Sequence, residues 1–150
     1  MKKVYLSIGS NLNPEMNMQQ VKRLLDDRFD VTYSRVYVSK AEGFDGEDFL
    51  NSVCFFYTDL KPLELTSLLK DIEKSMGRNI SQKGMSNRCI DLDLIIYGEE
   101  IIKTDELDIP SDDIEKYEFV LEPLCELAPD EIHPITKLSY KEIRENIEVI

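Results

Sequence analysis

One run of eight residues, Ile90-Asp91-Leu92-Asp93-Leu94-Ile95-Ile96-Tyr97, most limits what this chain can fold into. It ends at Gly98 and reads as a strand. From Leu94 to Ile96 it is apolar on both sides of the pleat, so both faces of its sheet need cover. The same strand carries two carboxylates, Asp91 and Asp93. Side chains at i and i+2 point to one face, with α-carbons roughly 6.5–7 Å apart.

The rest of the chain supplies the cover. Val4, Leu6 and Ile8 alternate with Tyr5 and Ser7 as a first strand, and Gly9 to Asn13 is a turn. Pro14 opens a helix with Asn13 as its cap and Met18, Val21, Leu24 and Leu25 as its apolar stripe. Residues 31–39 read as a second strand and residues 49–57 as a third, with a loop over 40–48. A second helix opens at Asp59 to Pro62, buries Leu65, Leu68, Leu69, Ile72 and Met76, and stops at Gly77. Residues 78–89 are polar and irregular, and short helices and turns follow Gly98. The order β-α-β-β-α-β predicts an α+β, ferredoxin-like fold, a three-layer α/β/α sandwich. Its sheet is mostly antiparallel, and a C-terminal helical extension covers the second face. We expect one domain over residues 1–150.

Composition narrows the function. Thirty Asp and Glu against 18 Lys and Arg give a charge of −12, which argues against general nucleic-acid binding. The acids crowd into residues 99–132, thirteen against two lysines, while residues 61–88 hold six basic residues and three acidic ones. No stretch approaches the ~18 apolar residues of a membrane helix, and the N-terminus does not read as a signal peptide. Cys54, Cys89 and Cys125 have no metal-ligand spacing and read as reduced thiols of a cytoplasmic protein.

Two same-face carboxylates in an apolar strand repel each other and resist desolvation. A hard cation such as Mg²⁺, shared with waters and phosphates, relieves both problems. Pairing with Arg or Lys at an exposed strand end is the other reading. Arg88, upstream on the irregular segment, fits a phosphate clamp or solvated surface. Phe49 and Asn51 share a strand face, and a ring beside a carboxamide can stack on and read a heteroaromatic ring. From spacing alone, these two and Phe119 read as core or edge residues. Glu73, one residue past Ile72, reads as helix surface, and the lone histidine, His133, as structural.

These residues fall in five ordered pieces: Tyr5 to Leu12, Gly43 to Asn51, Ile72 to Arg78, Arg88 to Gly98, and Phe119 to Pro129 followed by His133-Pro134. Together they resemble the 6-hydroxymethyl-7,8-dihydropterin pyrophosphokinase family. The resemblance implies transfer of a pyrophosphoryl group from ATP to the hydroxymethyl of a reduced pterin, releasing AMP. It implies that Asp91 and Asp93 hold two Mg²⁺ ions on the triphosphate. Asp91, Asp93 and Arg88 are the implied catalytic set. Phe49 and Phe119 would sandwich the pterin, Asn51 would bond its polar edge, and Ser39, Ala41 and Glu42 would meet it through backbone groups. Glu73, Arg78, Arg88 and Leu94 would lie along ATP. The expected partners are ATP and a pterin, with no nucleic acid or membrane, and the expected state is a monomer.

Departures from the family's pattern are equally specific. Arg-Trp-Gly-Pro-Arg is the usual run before the Asp pair, and here it is Gly84-Met85-Ser86-Asn87-Arg88. Ile80, Ser111 and Tyr117 stand where the family usually has cationic or donor residues. Lys74, Lys83 and Lys103 are the candidates to compensate. A catalytically weakened, pterin-binding paralogue is the alternative these changes raise. The polar stretch 78–89 is the candidate lid.

Overall fold

In the computed structural model, residues 1–40, 48–77 and 90–149 are described. β1 (Lys2–Ser10) lies at the centre of the sheet. It pairs antiparallel with β4 (Phe49–Thr58) on one side and with β5 (Asp91–Tyr97) on the other. β2 (Thr32–Tyr33) and β3 (Tyr37–Ser39) both pair antiparallel with β4. Adding α1 (Pro14–Asp26) and α2 (Pro62–Ser75) gives the β-α-β-β-α-β order expected from the sequence. A hairpin of β6 (Ile102–Lys103) and β7 (Asp108–Ile109) follows, then α3 (Asp113–Lys116), α4 (Glu118–Leu127) and α5 (Tyr140–Val149).

Strand alternation sends side chains to two cores. Leu6, Ile8, Cys54, Phe56 and Leu92 pack with Met18, Val21 and Leu25 of α1 and Leu65, Leu69 and Ile72 of α2. Tyr5, Val53, Ile95 and Ile96 pack with Ile114, Val120, Leu121, Leu124, Tyr140 and Ile143 of the C-terminal helices. The sheet is therefore the middle of three layers. The continuous apolar run in β5 has a local cause. Tyr5 pairs with Ile96 and Leu6 with Leu94, so Ile95 is an extra bulged residue. Ile95 and Ile96 both enter the second core.

The stretch read as a single second strand is broken. Thr32 and Tyr33 pair with Phe55 and Cys54, and the ladder resumes with Tyr37 against Asn51. Residues 34–36 therefore oppose only residues 52–53, a one-residue bulge. Ser34 is the reason: its Oγ accepts the Val53 N–H at 2.9 Å, and its own N–H donates to the Val53 carbonyl at 2.8 Å. Odd-numbered side chains consequently change face between Tyr33 and Tyr37.

Two helix signals hold and one is corrected. Pro14 and Pro62 open α1 and α2, and Gly77 follows α2 with φ 92°. Asn13 precedes Pro14, but its backbone is left-handed (φ 44°) and its side chain makes no capping hydrogen bond. At α2 the reciprocal contact comes from Glu64, whose carboxylate accepts the Lys61 N–H at 2.9 Å.

Candidate functional site

Register places the chemistry-bearing residues in one cross-strand row. Asp91 pairs with Gly9, Gly9 with Asn51, and Asn51 with Tyr37. The next row holds Asp93, Ser7 and Val53. Leu92 belongs to the first core, so Asp91 and Asp93 face the other side, the side of the C-terminal helices. Asp91 is half-buried and Asp93 exposed. Phe49 and Asn51 share that side with Val53.

Gly9 leaves a hollow between the two groups. A β-carbon there would lie 3.3 Å from Asn51 Oδ1 and 3.8 Å from a Phe49 ring carbon. The hollow separates the carboxylates from the carboxamide by two strand spacings, roughly 10 Å. Asn51 is only 5% exposed, and its Nδ2 donates to Ser39 Oγ at 2.7 Å.

Glu73 departs from the helix-surface reading. It is buried, and its Oε2 accepts the backbone N–H of Leu92 at 2.8 Å. That bond ties α2 to β5 beside the Asp pair. Glu73, Asp91, Asp93 and Leu94 line one cavity of about 360 Å³, with Lys70 and Leu107 on its walls. The buried Thr66 hydroxyl on the same wall has no hydrogen-bond partner among the described residues. A polar atom left so is costly unless a ligand or water meets it.

A second cavity, of about 300 Å³, brings Ser39 together with Phe119. Phe119 lies in the first turn of α4, and its ring stacks on Tyr117 with centroids 4.8 Å apart at 24°. Lys116 places its ammonium 5.2 Å from the Tyr117 ring. Ala41, Glu42, Arg78 and Arg88 lie outside the described residues. So do Ile80, Lys83, Gly84, Cys89 and the candidate lid over 78–89.

Two lysine and histidine expectations are resolved. Lys103 is engaged elsewhere: its ammonium donates to Asp108, to Asp112 at 3.2 Å and to the Pro110 carbonyl at 2.6 Å. His133 is buried, with Nδ1 accepting the N–H groups of Ile135 and Thr136 at 3.1 and 3.2 Å and Nε2 3.4 Å from Glu115. Those two bonds brace the turn at residues 133–136 from within, a structural role. Gly9, Thr66, Lys70 and the Tyr117–Phe119 stack escaped sequence reading. Only the strand pairing and the helix packing bring them to the cavities.

The strand order and the two flanking layers define a ferredoxin-like fold, with this row of residues on one face of its sheet. Residues 5–129 match the model of the 7,8-dihydro-6-hydroxymethylpterin-pyrophosphokinase (HPPK) family, and the chain belongs to that family. It is 37% identical over 144 residues to a 2-amino-4-hydroxy-6-hydroxymethyldihydropteridine pyrophosphokinase of Aquifex aeolicus, covering 94% of this chain and 89% of that protein. The Haemophilus influenzae enzyme of the same name is 36% identical over 140 residues, covering 89% of this chain and 86% of that protein. The folic acid synthesis protein FOL1 of Dictyostelium discoideum is 37% identical over 147 residues. That match covers 96% of this chain but only 22% of that longer protein. A crystal structure of an HPPK-DHPS protein in complex with substrates aligns with TM-score 0.75 at 12% identity. It covers 97% of this chain and 43% of that one, a likeness of fold.

Proposed function

We propose that this chain transfers a pyrophosphoryl group from ATP to the hydroxymethyl of 6-hydroxymethyl-7,8-dihydropterin, a step of folate biosynthesis. The observation that carries this reading is the row Asp91–Gly9–Asn51. It sets a carboxylate pair and an aromatic–carboxamide pair at the two ends of one hollow. In the reaction the hydroxyl oxygen bonds to the β-phosphorus, the bond from that phosphorus to the α-phosphate oxygen breaks, and AMP leaves. The hydroxyl proton passes to solvent or a carboxylate.

The described residues fit Mg²⁺ as ATP carries it. Asp91 and Asp93 lie on one face of β5 and line one cavity, so they would supply a partial shell; among the described residues no group of three or more His, Cys, Asp or Glu could hold a metal alone. Magnesium held by one or two carboxylates keeps its remaining sites for water and phosphate. We assign two ions to this pair; when bound, they neutralise charge on the phosphate oxygens. The chain's own residues do the positioning. Phe49 and Phe119 stack on the pterin and Asn51 bonds its edge, while Ser39, Ala41 and Glu42 frame it. Glu73, Leu94, Arg78 and Arg88 lie along the nucleotide. Holding both reactants in line supplies most of the acceleration in such transfers. We further propose a cytoplasmic monomer; the buried Cys54 thiol suits a reducing compartment. No described helix is long and apolar enough to cross a membrane.

The test is AMP release from ATP and Mg²⁺ in the presence of the reduced hydroxymethylpterin. Asp91→Asn and Asp93→Asn each remove a charge-assisted contact of ~1.5–3 kcal/mol, so each variant should lose roughly ten- to a hundredfold in rate. No AMP above background at high protein concentration, with pterin still bound, would replace this reading with the weakened paralogue.

A further inference from the structure

A single extended residue, Tyr117 (φ −125°, ψ 123°), joins α3 to α4. Both helices hold its backbone. Its N–H donates to the Asp113 carbonyl at 2.9 Å, and its own carbonyl accepts the N–H groups of Val120 and Leu121, each at 3.1 Å. The Tyr117 α-carbon is thus fixed from two sides. Phe119 is placed differently. It stands in the first turn of α4, where backbone N–H groups have no partner within the helix, and it is half-buried. Against its ring lies that of Tyr117, with centroids 4.8 Å apart at 24°. The Lys116 ammonium, 5.2 Å from the Tyr117 ring centroid, is a second contact on that ring. Both rings pack on the second core, and α4 packs on β3 and β4. Phe119 shares its cavity with Ser39, the residue paired with Phe49. A ring has two faces, so the Tyr117 stack leaves one face of Phe119 for a ligand.

We propose that Tyr117 is a positioning residue for the pterin: it lies against one face of Phe119 and holds that ring ready on the other, so that the ligand completes a stack of Tyr117, Phe119, pterin and Phe49. This rests on the pterin reading above. An unsupported phenylalanine ring in a first helical turn samples several rotamers, and gives up that freedom when a ligand stacks on it. Held by Tyr117, the ring has already given it up in the free protein, so more of the stacking energy becomes affinity. The backbone bonds of Tyr117 make this possible, because the support is itself tied to two helices. The resemblance places a basic or donor residue at position 117, and a neutral ring there carries no charge for phosphate. The effect of Tyr117 therefore falls on the pterin and passes through Phe119.

The experiment is a double-mutant cycle read by calorimetry on wild type, Tyr117→Leu, Phe119→Ala and the double variant, with Tyr117→Phe as the conservative change. Each protein is titrated with the reduced hydroxymethylpterin, alone and with Mg²⁺ and a non-hydrolysable ATP analogue present, and separately with that Mg²⁺-analogue mixture. Tyr117→Leu keeps apolar bulk against the second core but removes the ring. It should weaken pterin binding by about two- to tenfold, the worth of one aromatic pair, and leave the Kd of the analogue unchanged. Tyr117→Phe should bind the pterin as wild type does. In the Phe119→Ala background, Tyr117→Leu should cost nothing more. Should Tyr117→Leu melt well below wild type, Tyr117→Met, which also lacks the ring, is read in its place. A pterin Kd unchanged or tightened by the ringless variant would overturn the proposal, since tightening would mean that Tyr117 occupies the ligand's face of Phe119. Equal losses for pterin and analogue, or a full additional loss in the Phe119→Ala background, would overturn it as well, because a merely structural role gives those results. Phe119→Ala binding the pterin as wild type does would remove the ring through which Tyr117 acts, and so overturn it. Wild type binding no pterin under either condition would overturn the pterin reading itself, and this proposal with it.

Discussion

Gly9→Ala separates space needed by the fold from space needed by the ligand. Gly9 has ordinary strand pairing on both sides, to Asn51 and to Asp91. Replacing a strand glycine with alanine is worth ~0.5–1 kcal/mol through lost unfolded-state entropy. Against that, the new β-carbon stands 3.3 Å from Asn51 Oδ1, so one of them must give by a few tenths of an ångström. Ser39 resists that shift through its hydrogen bond to Nδ2. The two effects nearly cancel in the free protein. Stability should stay within ~1 kcal/mol of wild type, a shift of about 2–4 °C in Tm for a chain of this size. On the proposed reading the pterin ring, held by Phe49 and Asn51, extends across the hollow, and in the complex it would meet the methyl directly. Overpacking of this kind costs ~1–3 kcal/mol, which is about fivefold to a hundredfold in Kd. Calorimetry with the reduced pterin, beside thermal melts, reads both quantities. An unchanged Kd with an unchanged Tm would refute the placement of the ring over Gly9. A Tm lowered by more than about 10 °C would refute the claim that the hollow is ligand space.

Glu73→Ala removes the acceptor of the Leu92 N–H and should cost ~1–3 kcal/mol in urea unfolding, with Glu73→Gln recovering much of it through its amide oxygen. His133 gives a pH dependence of definite sign. Burial lowers its pKa, with the Glu115 carboxylate pulling upward, Lys103 downward and Asp112 upward. The folded protein therefore holds fewer protons than the unfolded chain near the ordinary histidine pKa. Stability is complete above about pH 6.5 and falls as the pH drops toward the depressed value. Thermal melts from pH 7.5 to 5 should show this loss, and His133→Gln should flatten it. Finally, the rate of nucleotide association should rise between about 20 and 200 mM salt, because screening weakens a net repulsion. Stopped-flow traces that slow with salt would sink that expectation.

What was legible in the sequence is what period-2 and helical patterns encode. Asp91 with Asp93, and Phe49 with Asn51, were paired by alternation alone, and the pairing survives because each lies within an unbroken strand segment. Glu73 was misread because its burial comes from β5, which lies beyond the helix's own apolar stripe. The break in the second strand was hidden for a similar reason. Ser34 substitutes its hydroxyl for a ladder acceptor, and no local propensity announces that. Ser39 inherits its face from that bulge. The hollow at Gly9 is a missing side chain, which gains meaning only between named neighbours. The β6–β7 hairpin has two-residue strands, too short for any period. In α4 the acids Glu118, Glu122 and Glu126 recur every four residues along one face, while Val120, Leu121 and Leu124 form the buried stripe.

The distribution of charge around the cavity beside Asp91 and Asp93 sets a condition on the proposed nucleotide: it would need cations to enter. Glu73, Asp91, Asp93, Glu106, Asp108 and Asp113 line it, against Lys70 as the one cation among its described lining residues. Lys103 is spent on Asp108 and Asp112. The Asp113 carboxyl is pushed up by burial, pulled down by Lys116, and pushed up again by Asp108, Asp91 and Asp112. Six carboxylates against one ammonium act on an incoming triphosphate directly. Two unit charges 5 Å apart at an effective dielectric near 20 repel by ~3 kcal/mol. Several such pairs would exclude a bare nucleotide. On the proposed reading, two divalent ions bring four positive charges against the two of Asp91 and Asp93, which turns this wall from repulsive to attractive. With Ile80, Gly84, Ser111 and Tyr117 standing where the resemblance places basic or donor residues, that reading shifts the burden of phosphate recognition from guanidinium groups to the carboxylate-held cations. On that reading Asp91 and Asp93, acids that on charge alone oppose a nucleotide, would be the residues through which an acidic protein binds one.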